Sequence, residues 1–402
     1  MKKNIWIISK YASPLKYGFA SRHFYFAKEF NDLGYDTTVI SSDSNHLVSF
    51  PKFKKRITIE NIEGVRTIWL RTKKYKGANS IGRILSWIHF ELNIRLLNKK
   101  KLPQPEVIII SSLSLLTILE GIRLKRKYKC KLIFEIRDIW PLTIIQLGGY
   151  SLNNPFVKLL QHIEKKGYEA SDIIVGTMPN LAEHVTNVIG PNKKCYNIPQ
   201  GLELSLFENP LPLEQNFIDQ YIPKNKFIVG YAGSIGRSNA LETIIDCALD
   251  LKENTNIHFA FLGGGDQLED FKKKTEGLSN ITFLPKVQKK QVQSVIQHFD
   301  VLYDSVKNIN LYTYGLSRNK WIDYMYAAKP IIASYSGFPS MLNEAGCGTF
   351  IPAEDKAALK DIILHYASMS QDDRKEIGIN GKKWLLQNRT FSKLALEYSK
   401  LF

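Results

Sequence analysis

The sequence predicts an α/β protein made of two doubly wound domains. Short apolar runs alternate with longer amphipathic segments, and this alternation begins at Ile5–Ser9 and begins again at Phe227–Ala232. Strands that alternate with helices are typical of parallel sheets with helices on both faces. The chain has 402 residues, which is too long for one compact core and suits two domains of ordinary size.

Residues 204–225 are the best candidate for the connection between the two domains. This stretch contains Pro210, Pro212 and Pro223 and has no clear helical or strand period. We therefore divide the chain into an N-terminal domain (1–203), a linker (204–225), a C-terminal domain (226–380) and a final helical segment (381–402).

Positive charge is concentrated in one segment. The formal net charge is +17, and residues 52–101 hold 14 lysines and arginines against three glutamates. Apolar residues recur at helical spacing within it, at Ile81, Ile84, Leu85, Ile88, Leu92 and Leu96. A basic amphipathic helix is typical of a segment on an anionic membrane, and the alternative is a helix packed on its own sheet. Nucleic acid binding is not expected, because no zinc-finger, RNP or recognition-helix pattern accompanies the charge.

The spacing of the cysteines and the lengths of the apolar runs argue against disulfide-rich, cysteine-metal, secreted and membrane-spanning proteins. The four cysteines, Cys130, Cys195, Cys247 and Cys347, are widely spaced, so neither a disulfide framework nor a cysteine-rich metal site is expected. The N-terminal apolar run is about five residues long, too short for a signal peptide. The longest run, Val107–Leu119, falls short of the roughly 20 residues of a membrane span. We expect a cytoplasmic enzyme, peripheral on the inner face of the cell membrane.

The stretch from Tyr312 to Ser334 predicts a helix whose N-terminus binds an anion. Gly315 and Ser317 indicate a turn and an N-cap, and Arg318 and Lys320 fall in the first turn, where the helix macrodipole disfavours cations. A pyrophosphate would remove that conflict by taking backbone N–H groups and both cations. Asp323 faces the same site one turn after Asn319, and its carboxylate suits a ribose diol. The alternative is a helix end that projects into water.

Two glycine turns in the second half suit a nucleotide. Gly233 and Ser234 follow the strand that begins at Phe227, and Arg237 in the same loop supplies a cation unless it points into solvent. Gly264 lies in a run of three glycines after the next strand, where the backbone can approach a nucleotide closely or simply turn tightly.

In the first half, polar residues follow the buried strand Lys131–Glu135. Glu135, Arg137 and Asp138 lie at its carboxyl end, which in a doubly wound sheet faces the ligand crevice. Asp138 is placed to accept a proton from an acceptor hydroxyl. The alternative is a structural ion pair between Arg137 and Asp138.

The segment Asp323–Pro330 resembles the second half of a motif of the family 4 retaining glycosyltransferases, which have the GT-B fold. In that family two glutamates eight positions apart precede a run like Ala-Met-Ala-x-Gly-Lys-Pro; here Gly315 and Asp323 stand in their places. The resemblance recurs in order along nearly the whole chain. It implies two Rossmann-like domains facing each other across a cleft, with the acceptor on the N-terminal domain, the nucleotide sugar on the C-terminal domain, and residues 381–402 packing back on the first domain.

Further site residues follow from this resemblance. It places Lys286 near the nucleobase, and Tyr17 and Gly18 where the family has a Gly-Gly loop that helps form the cleft, with Tyr17 as a candidate acceptor contact and Gly18 as a candidate donor contact. Arg22 and His23 open the following helix and are both candidate acceptor contacts. Arg22 suits an acceptor phosphate, and the alternative for His23 is a solvated helix residue.

The chain also departs from the family pattern. Ser234 and Asn239 replace the arginine and lysine that usually grip the donor diphosphate, and Arg137 replaces a common histidine.

The resemblance implies transfer, with retention, from a UDP-sugar to a lipid-linked saccharide such as one on undecaprenyl diphosphate. The segments 21–25 and 137–141 resemble N-acetylfucosamine transferases of bacterial surface-polysaccharide synthesis, either O-antigen or capsule. We expect no cofactor and no metal, because no Asp-x-Asp motif lies in a fitting place. The alternatives are a sugar-nucleotide 2-epimerase with the same fold and a non-catalytic assembly component.

Overall fold

A computed structural model describes residues 2–17, 21–45, 53–75, 81–97, 99, 102–112 and 114–402. The chain forms two compact units. The N-terminal unit runs to Gly201 and takes in Phe391–Phe402, and the C-terminal unit is Leu202–Thr390.

The N-terminal unit is built on an eight-stranded sheet in the order β3-β4-β2-β1-β5-β6-β7-β8. Its strands are β1 (Asn4–Ile8), β2 (Asp36–Ser42), β3 (Ile57–Ile62), β4 (Val65–Leu70), β5 (Val107–Ser111), β6 (Lys131–Ile136), β7 (Ile173–Gly176) and β8 (Cys195–Asn197). Its helices are α1 (Arg22–Asp32), α2 (Ile81–Leu96), α3 (Thr117–Tyr128), α4 (Leu142–Gln146), α5 (Pro155–Ala170) and α6 (Leu181–Ile189). All neighbours in the sheet are parallel except β3 and β4.

The β3–β4 hairpin is an element that the sequence analysis did not predict. Its turn places Glu63 at φ 50° and Gly64 at φ 82°, and two positive φ values are the geometry of a tight hairpin turn. Charged and polar residues alternate with the apolar ones along β3, so the strand lacks the continuous apolar run that marked the buried strands.

The C-terminal unit carries a six-stranded parallel sheet in the order β11-β10-β9-β12-β13-β14. Its strands are β9 (Phe227–Ser234), β10 (Ile257–Gly264), β11 (Ile281–Leu284), β12 (Val301–Ser305), β13 (Ile331–Ser334) and β14 (Gly348–Ile351). Its helices are α7 (Gln215–Tyr221), α8 (Glu242–Asp250), α9 (Leu268–Lys274), α10 (Val292–Ile296), α11 (Asn319–Tyr326), α12 (Lys356–Ser368) and α13 (Gln371–Asn388).

Element boundaries differ from the sequence-based division at both ends of the C-terminal unit. The segment assigned to a linker contains α7 and belongs to this unit, and α13 runs unbroken across position 380. The chain returns to the N-terminal unit at α14 (Phe391–Ser399). There Phe391 and Tyr398 pack edge-on against Phe26 of α1, with ring centroids 5.2 and 5.3 Å apart.

Candidate functional site

A cavity of about 360 Å³ opens at the carboxyl ends of β9 and β10. Its lining includes five residues that the sequence analysis assigned to donor binding: Gly233, Ser234, Gly264, Lys286 and Asp323. The carboxyl ends of parallel strands are where doubly wound sheets bind ligands, which is why residues distant in sequence meet here.

Glycines let the walls of this cavity approach one another closely. A Cβ atom on Gly263, whose φ is 152°, would lie 1.8 Å from the Gly233 carbonyl oxygen, so the ends of β9 and β10 touch through their backbones. A Cβ on Gly264 would lie 2.6 Å from Cε of Lys286, and one on Gly233 would lie 2.5 Å from Cε of Lys320. The glycines therefore admit two lysine side chains beside the cavity.

Asp323 presents a carboxylate to the cavity from the middle of α11. Its side chain is 18% exposed, and its oxygens lie 3.3 Å from Nζ of Lys289, another lining residue. Burial raises the pKa of Asp323 and the Lys289 ammonium opposes that rise. A partly buried carboxylate with one exposed lysine partner retains oxygens that can accept hydrogen bonds from a ligand hydroxyl.

Next to the cavity, Arg318 and Lys320 share a buried carboxylate. Asp304, at the end of β12, is 2% exposed and accepts from Arg318 Nε at 2.9 Å, Arg318 Nη2 at 2.7 Å and Lys320 Nζ at 3.0 Å. Lys320 Nζ also reaches Tyr231 Oη at 2.8 Å and Asn239 Oδ1 at 2.9 Å. The sequence predicted that an anion binds the two cations in the first turn of α11. The Asp304 carboxylate supplies part of that negative charge.

The charges of this cluster do not cancel. Burial alone would raise the pKa of Asp304, but Arg318 and Lys320 outweigh it and lower that pKa to about 2. Burial lowers the pKa of Lys320 to about 8, although Asp304 opposes the shift. Two cations therefore face one carboxylate at neutral pH, and one positive charge remains for a ligand.

Other predicted donor-site residues lie differently from expectation. Ser317 is not the N-cap: α11 begins at Asn319 with Arg318 in the capping position and no side-chain cap. Asn319 itself is exposed. Arg237 is 81% exposed and lies 3.9 Å from Asp266, so it points into solvent rather than replacing the missing cation.

In the N-terminal unit, Glu135, Arg22 and His23 form a buried cluster. Glu135 is 1% exposed and lies 2.8 Å from His23 Nε2 and 3.4 Å from Arg22 Nη2, which also donates to the Ile198 carbonyl at 2.9 Å. The predictions of a phosphate-binding Arg22, an acceptor-binding or solvated His23 and a crevice-facing Glu135 are therefore wrong. The helix start packs against the end of β6, where Glu135 is the partner of both side chains, while Arg22 Nε, Arg22 Nη1 and His23 Nδ1 have no hydrogen-bond partner among the described residues.

Burial and charged neighbours together set the ionisation of this cluster. Burial alone would raise the pKa of Glu135, but Arg22 and His23 outweigh it and lower the pKa to about 2. Burial lowers the pKa of His23, although Glu135 opposes the shift. The arrangement is a structural ion pair with a neutral imidazole.

The two residues after β6 are more open. Asp138 is exposed and Arg137 is half-buried. The backbone N–H of Arg137 donates to Ser112 Oγ at 3.0 Å, and Thr177 Oγ1 donates to the Arg137 carbonyl at 3.3 Å, so the turn that presents Asp138 is fixed from both neighbouring strands.

The predicted acceptor contact Tyr17 is engaged within the N-terminal unit. Its hydroxyl donates to Glu60 of β3 at 3.1 Å, and its ring packs edge-on against Trp69 at 5.7 Å. Gly18 lies outside the described residues.

Asp304, Asn239 and Tyr231 are functional candidates that the sequence analysis missed. Asp304 ends a buried strand, as Glu135 does, so the rule that selected Glu135 would also have selected it. In the sequence, Asn239 was noted only because it stands where the family usually has a lysine. In the structure, its Oδ1 accepts hydrogen bonds from both Arg318 and Lys320.

The parts of the chain that the structure describes contain neither a cluster of metal ligands nor a membrane-spanning helix. There, no group of three or more His, Cys, Asp or Glu residues is arranged to hold a metal ion. Nor does any helix in those parts combine the length and apolar character needed to cross a membrane.

Part of the chain matches a known family. Residues 226–368, most of the C-terminal unit, match the family described as Glycosyl transferases group 1. No curated protein matches the chain.

The whole chain is similar in fold to several solved structures. Sucrose-phosphate synthase from Thermosynechococcus elongatus is 15% identical with a TM-score of 0.76, covering 100% of this chain and 98% of its own. The trehalose-6-phosphate protein of E. coli bound with UDP-2-fluoro glucose is 12% identical with a TM-score of 0.71, covering 99% and 98%. HepE from Anabaena in complex with UDP-glucose is 12% identical with a TM-score of 0.65, covering 99% and 98%. These likenesses confirm the predicted fold class.

Proposed function

We propose that this protein, a glycosyltransferase of the GT-B fold with a group 1 domain at residues 226–368, transfers a sugar from a UDP-sugar to a lipid-linked saccharide. The observation that carries the proposal is the cavity that brings Gly233, Gly264, Lys286 and Asp323 together. Close backbone approach, lysine side chains and one carboxylate suit a nucleoside diphosphate.

The assignment of a UDP-sugar as donor is supported by the side chains around the cavity and by the similar solved structures. Asp323 suits hydroxyl groups of the ribose, and the remaining positive charge of the Arg318–Lys320–Asp304 cluster suits the diphosphate. Two structures of similar fold were determined with UDP-2-fluoro glucose and UDP-glucose, which supports uridine as the base.

During transfer, the diphosphate leaves with a growing negative charge while the bond from the anomeric carbon to its oxygen breaks. Lys320 stabilises that charge through its ammonium. The acceptor oxygen forms its bond to the anomeric carbon on the same face that the diphosphate leaves, which retains the configuration, and the hydroxyl proton passes to Asp138. We propose retention at the anomeric carbon on the family resemblance of the segment 323–330, and metal independence because no Asp-x-Asp motif lies in a fitting place.

Asp323→Asn tests the donor site. We expect UDP to bind roughly ten-fold more weakly to the variant, because a carboxylate–hydroxyl hydrogen bond is replaced by a neutral one. Isothermal titration of UDP and GDP with EDTA present measures this effect. Asp266→Asn is a matched control, because Asp266 is 64% exposed and does not line the cavity. Equal UDP affinity in both variants, or no UDP binding to the unmodified protein, would contradict the assignment.

The acceptor is proposed to be anchored in an anionic membrane that α2 contacts. One face of α2 packs inward through Trp87, Phe90 and Ile94, but the other exposes apolar side chains. That second face consists of Ile84, Leu85, Ile88, Leu92 and Leu96, of which Leu92 is 52% and Leu96 64% exposed. Exposed lysines and arginines accompany it in the same region, namely Lys54, Lys55, Arg56, Arg71, Lys73, Lys74 and Arg95. An apolar stripe beside basic residues matches an anionic lipid surface.

Leu92→Glu tests membrane contact. We expect the variant to lose most of its binding to phosphatidylglycerol vesicles, at least roughly ten-fold, because an inserted leucine is replaced by a charge of the lipid's own sign. Co-sedimentation with vesicles measures this. Leu364→Glu is the control, since Leu364 is a similarly exposed leucine on α12 of the other unit. If both variants sediment like the unmodified protein, α2 does not dock on the membrane.

The biological setting rests on the resemblance of segments 21–25 and 137–141. We propose an N-acetylated deoxyhexosamine as the donor sugar, an undecaprenyl-diphosphate-linked saccharide as the acceptor, and a role in O-antigen or capsule synthesis at the inner face of the cell membrane. Screening UDP-sugars against extracted lipid-linked saccharides, with product analysis by mass spectrometry, tests each part.

A further inference from the structure

A second cavity, of about 500 Å³, lies within the C-terminal unit, among α10, α11, α13 and the chain that follows Phe207. Its volume falls in the range of small-molecule sites, roughly 300–1,000 Å³. It shares no lining residue with the candidate donor cavity: Val292 of α10 lines the donor cavity, whereas Gln293 and Ser294 line this one. The residues that line it were not among those selected from the sequence.

Three polar side chains of this cavity use their donors on the backbone. Gln293 Nε2, Ser294 Oγ and Gln297 Nε2 each donate to a backbone carbonyl, at 3.0, 2.7 and 3.1 Å. Because a carbonyl accepts only from the NH₂ group of an amide, these bonds fix the orientation of both glutamine side chains. What the three side chains offer a ligand is therefore acceptor oxygen, and a matching ligand must donate O–H or N–H groups.

Gln293 has an acceptor that the protein leaves unused. The residue is 8% exposed, and its Oε1 is buried with no hydrogen-bond partner among the described residues. A buried polar atom without a partner is unfavourable, and such atoms are rare in folded proteins. A donor group on a ligand in this cavity would supply the missing hydrogen bond.

The charged residues that line the cavity balance each other. They are Glu208 and Lys382, whereas the donor cavity has two lysines for one aspartate. The Lys382 ammonium lies 4.4 Å from the centroid of the Tyr326 ring, and no hydrogen bond to a side-chain or backbone acceptor is recorded for it in the parts of the chain that the structure describes. A phosphate or nucleotide would require an excess of cations, so a neutral ligand suits this cavity better.

Two aromatic rings give the cavity an apolar wall. Phe207 and Tyr326 both line it and pack together, with ring centroids 4.8 Å apart. A sugar carries hydroxyl groups around its edge and C–H groups on its faces, so it can use the acceptor oxygens and the aromatic wall together. A polyamine also donates many N–H groups, but it would need more negative charge than Glu208 supplies.

We propose that this cavity binds a neutral saccharide, with the oxygens of Gln293, Ser294 and Gln297 accepting from its hydroxyl groups. This site is additional to the donor and acceptor sites of the proposed function. Gln293 also connects it to the donor cavity, because the carbonyl that its Nε2 contacts is that of Asp323. One side chain thus contacts both the saccharide and the helix that carries the donor-site carboxylate.

N,N′-diacetylchitobiose, a neutral disaccharide with both O–H and N–H donors, is the probe for this site. We expect Gln297→Met and Glu208→Met each to weaken its binding by roughly five-fold, because each removes acceptor oxygens but keeps an unbranched side chain. Gln220→Met and Glu253→Met are the matched controls, since both positions are exposed, belong to the same unit and do not line the cavity. Gln297 and Glu208 are exposed as well, so the test variants should fold, and thermal unfolding checks that they do.

Ligand-observed NMR titrations with and without saturating UDP separate this site from the donor cavity. The disaccharide should bind the UDP-saturated protein as tightly as the free protein, because the two cavities have different linings. Displacement of the disaccharide by UDP would overturn the proposal, as would the absence of disaccharide binding or equal affinities in the test and control variants. Failure of the unmodified protein to bind UDP would instead overturn the donor assignment, and the comparison of variants without UDP would still decide the saccharide site.

Discussion

Replacement of Lys320 by methionine is expected to lower kcat by roughly 100- to 1000-fold, the range seen when one stabiliser of developing negative charge is removed. Methionine keeps an unbranched apolar side chain of similar length beside Gly233 but carries no charge. The fold should persist, because Asp304 still accepts two hydrogen bonds from Arg318. Steady-state kinetics with a UDP-sugar and thermal unfolding measure the two effects.

Arg237→Met is the control for this prediction. It removes a cation from the loop after β9, but Arg237 points into solvent, so its turnover should stay within about two-fold of the unmodified enzyme. Equal losses of kcat in the two variants would contradict the prediction, because they would show that turnover depends on the total positive charge and not on the position of Lys320.

The ionisation of Lys320 gives the same prediction a pH dependence. With a pKa lowered to about 8, its ammonium is present at pH 7 and is lost as the pH rises through 8. Since kcat/KM reports ionisations of the free enzyme, kcat/KM should fall above pH 8. Lys320→Arg should not show this decline, because a guanidinium stays protonated there.

Glu135→Gln is expected to destabilise the N-terminal unit by about 3–5 kcal/mol, the cost of removing one partner from a buried ion pair. The substitution leaves the buried Arg22 guanidinium without its counter-ion. Urea unfolding followed by fluorescence measures the loss. Glu169→Gln, at an exposed position of the same unit, should be close to neutral. A variant with unchanged stability and abolished turnover would show instead that Glu135 has the catalytic role predicted from the sequence.

The effect should disappear on acidification. Because the folded-state pKa of Glu135 is about 2, below its ordinary value of 4.5, its ionised carboxylate stabilises the fold above that ordinary value. The contribution is lost as the pH falls toward 2. The stability difference between Glu135→Gln and the unmodified protein should therefore shrink below about pH 4.5.

Strand ends were predictable from the sequence because their signal is local. A buried apolar run followed by polar or glycine residues identified the cavity residues Gly233 and Gly264 and the turn at Asp138, whereas Asp323 was identified from its position one turn into a predicted helix. Alternation of strands with helices was sufficient for the fold class.

Partners distant in sequence were not predictable in the same way. His23 and Glu135 are 112 positions apart, and nothing near either one indicates that they meet. The first turn of α11 shows the same limit: the unusual cations at 318 and 320 predicted a bound pyrophosphate, but the sequence did not show that Asp304 already supplies a carboxylate to both of them. The criterion of a continuous apolar run also missed β3, an edge strand in which apolar and polar residues alternate.

The packing of α14 has a consequence for the order of folding during synthesis. Phe391, Leu394 and Tyr398 belong to the same core cluster as Phe26 and Phe30. On the ribosome, α1 emerges early, yet its aromatic face stays uncovered until residues 391–399 have been translated. The C-terminal unit is continuous in sequence and can finish its core before then. The half of the molecule that is made first is therefore the half whose core is completed last.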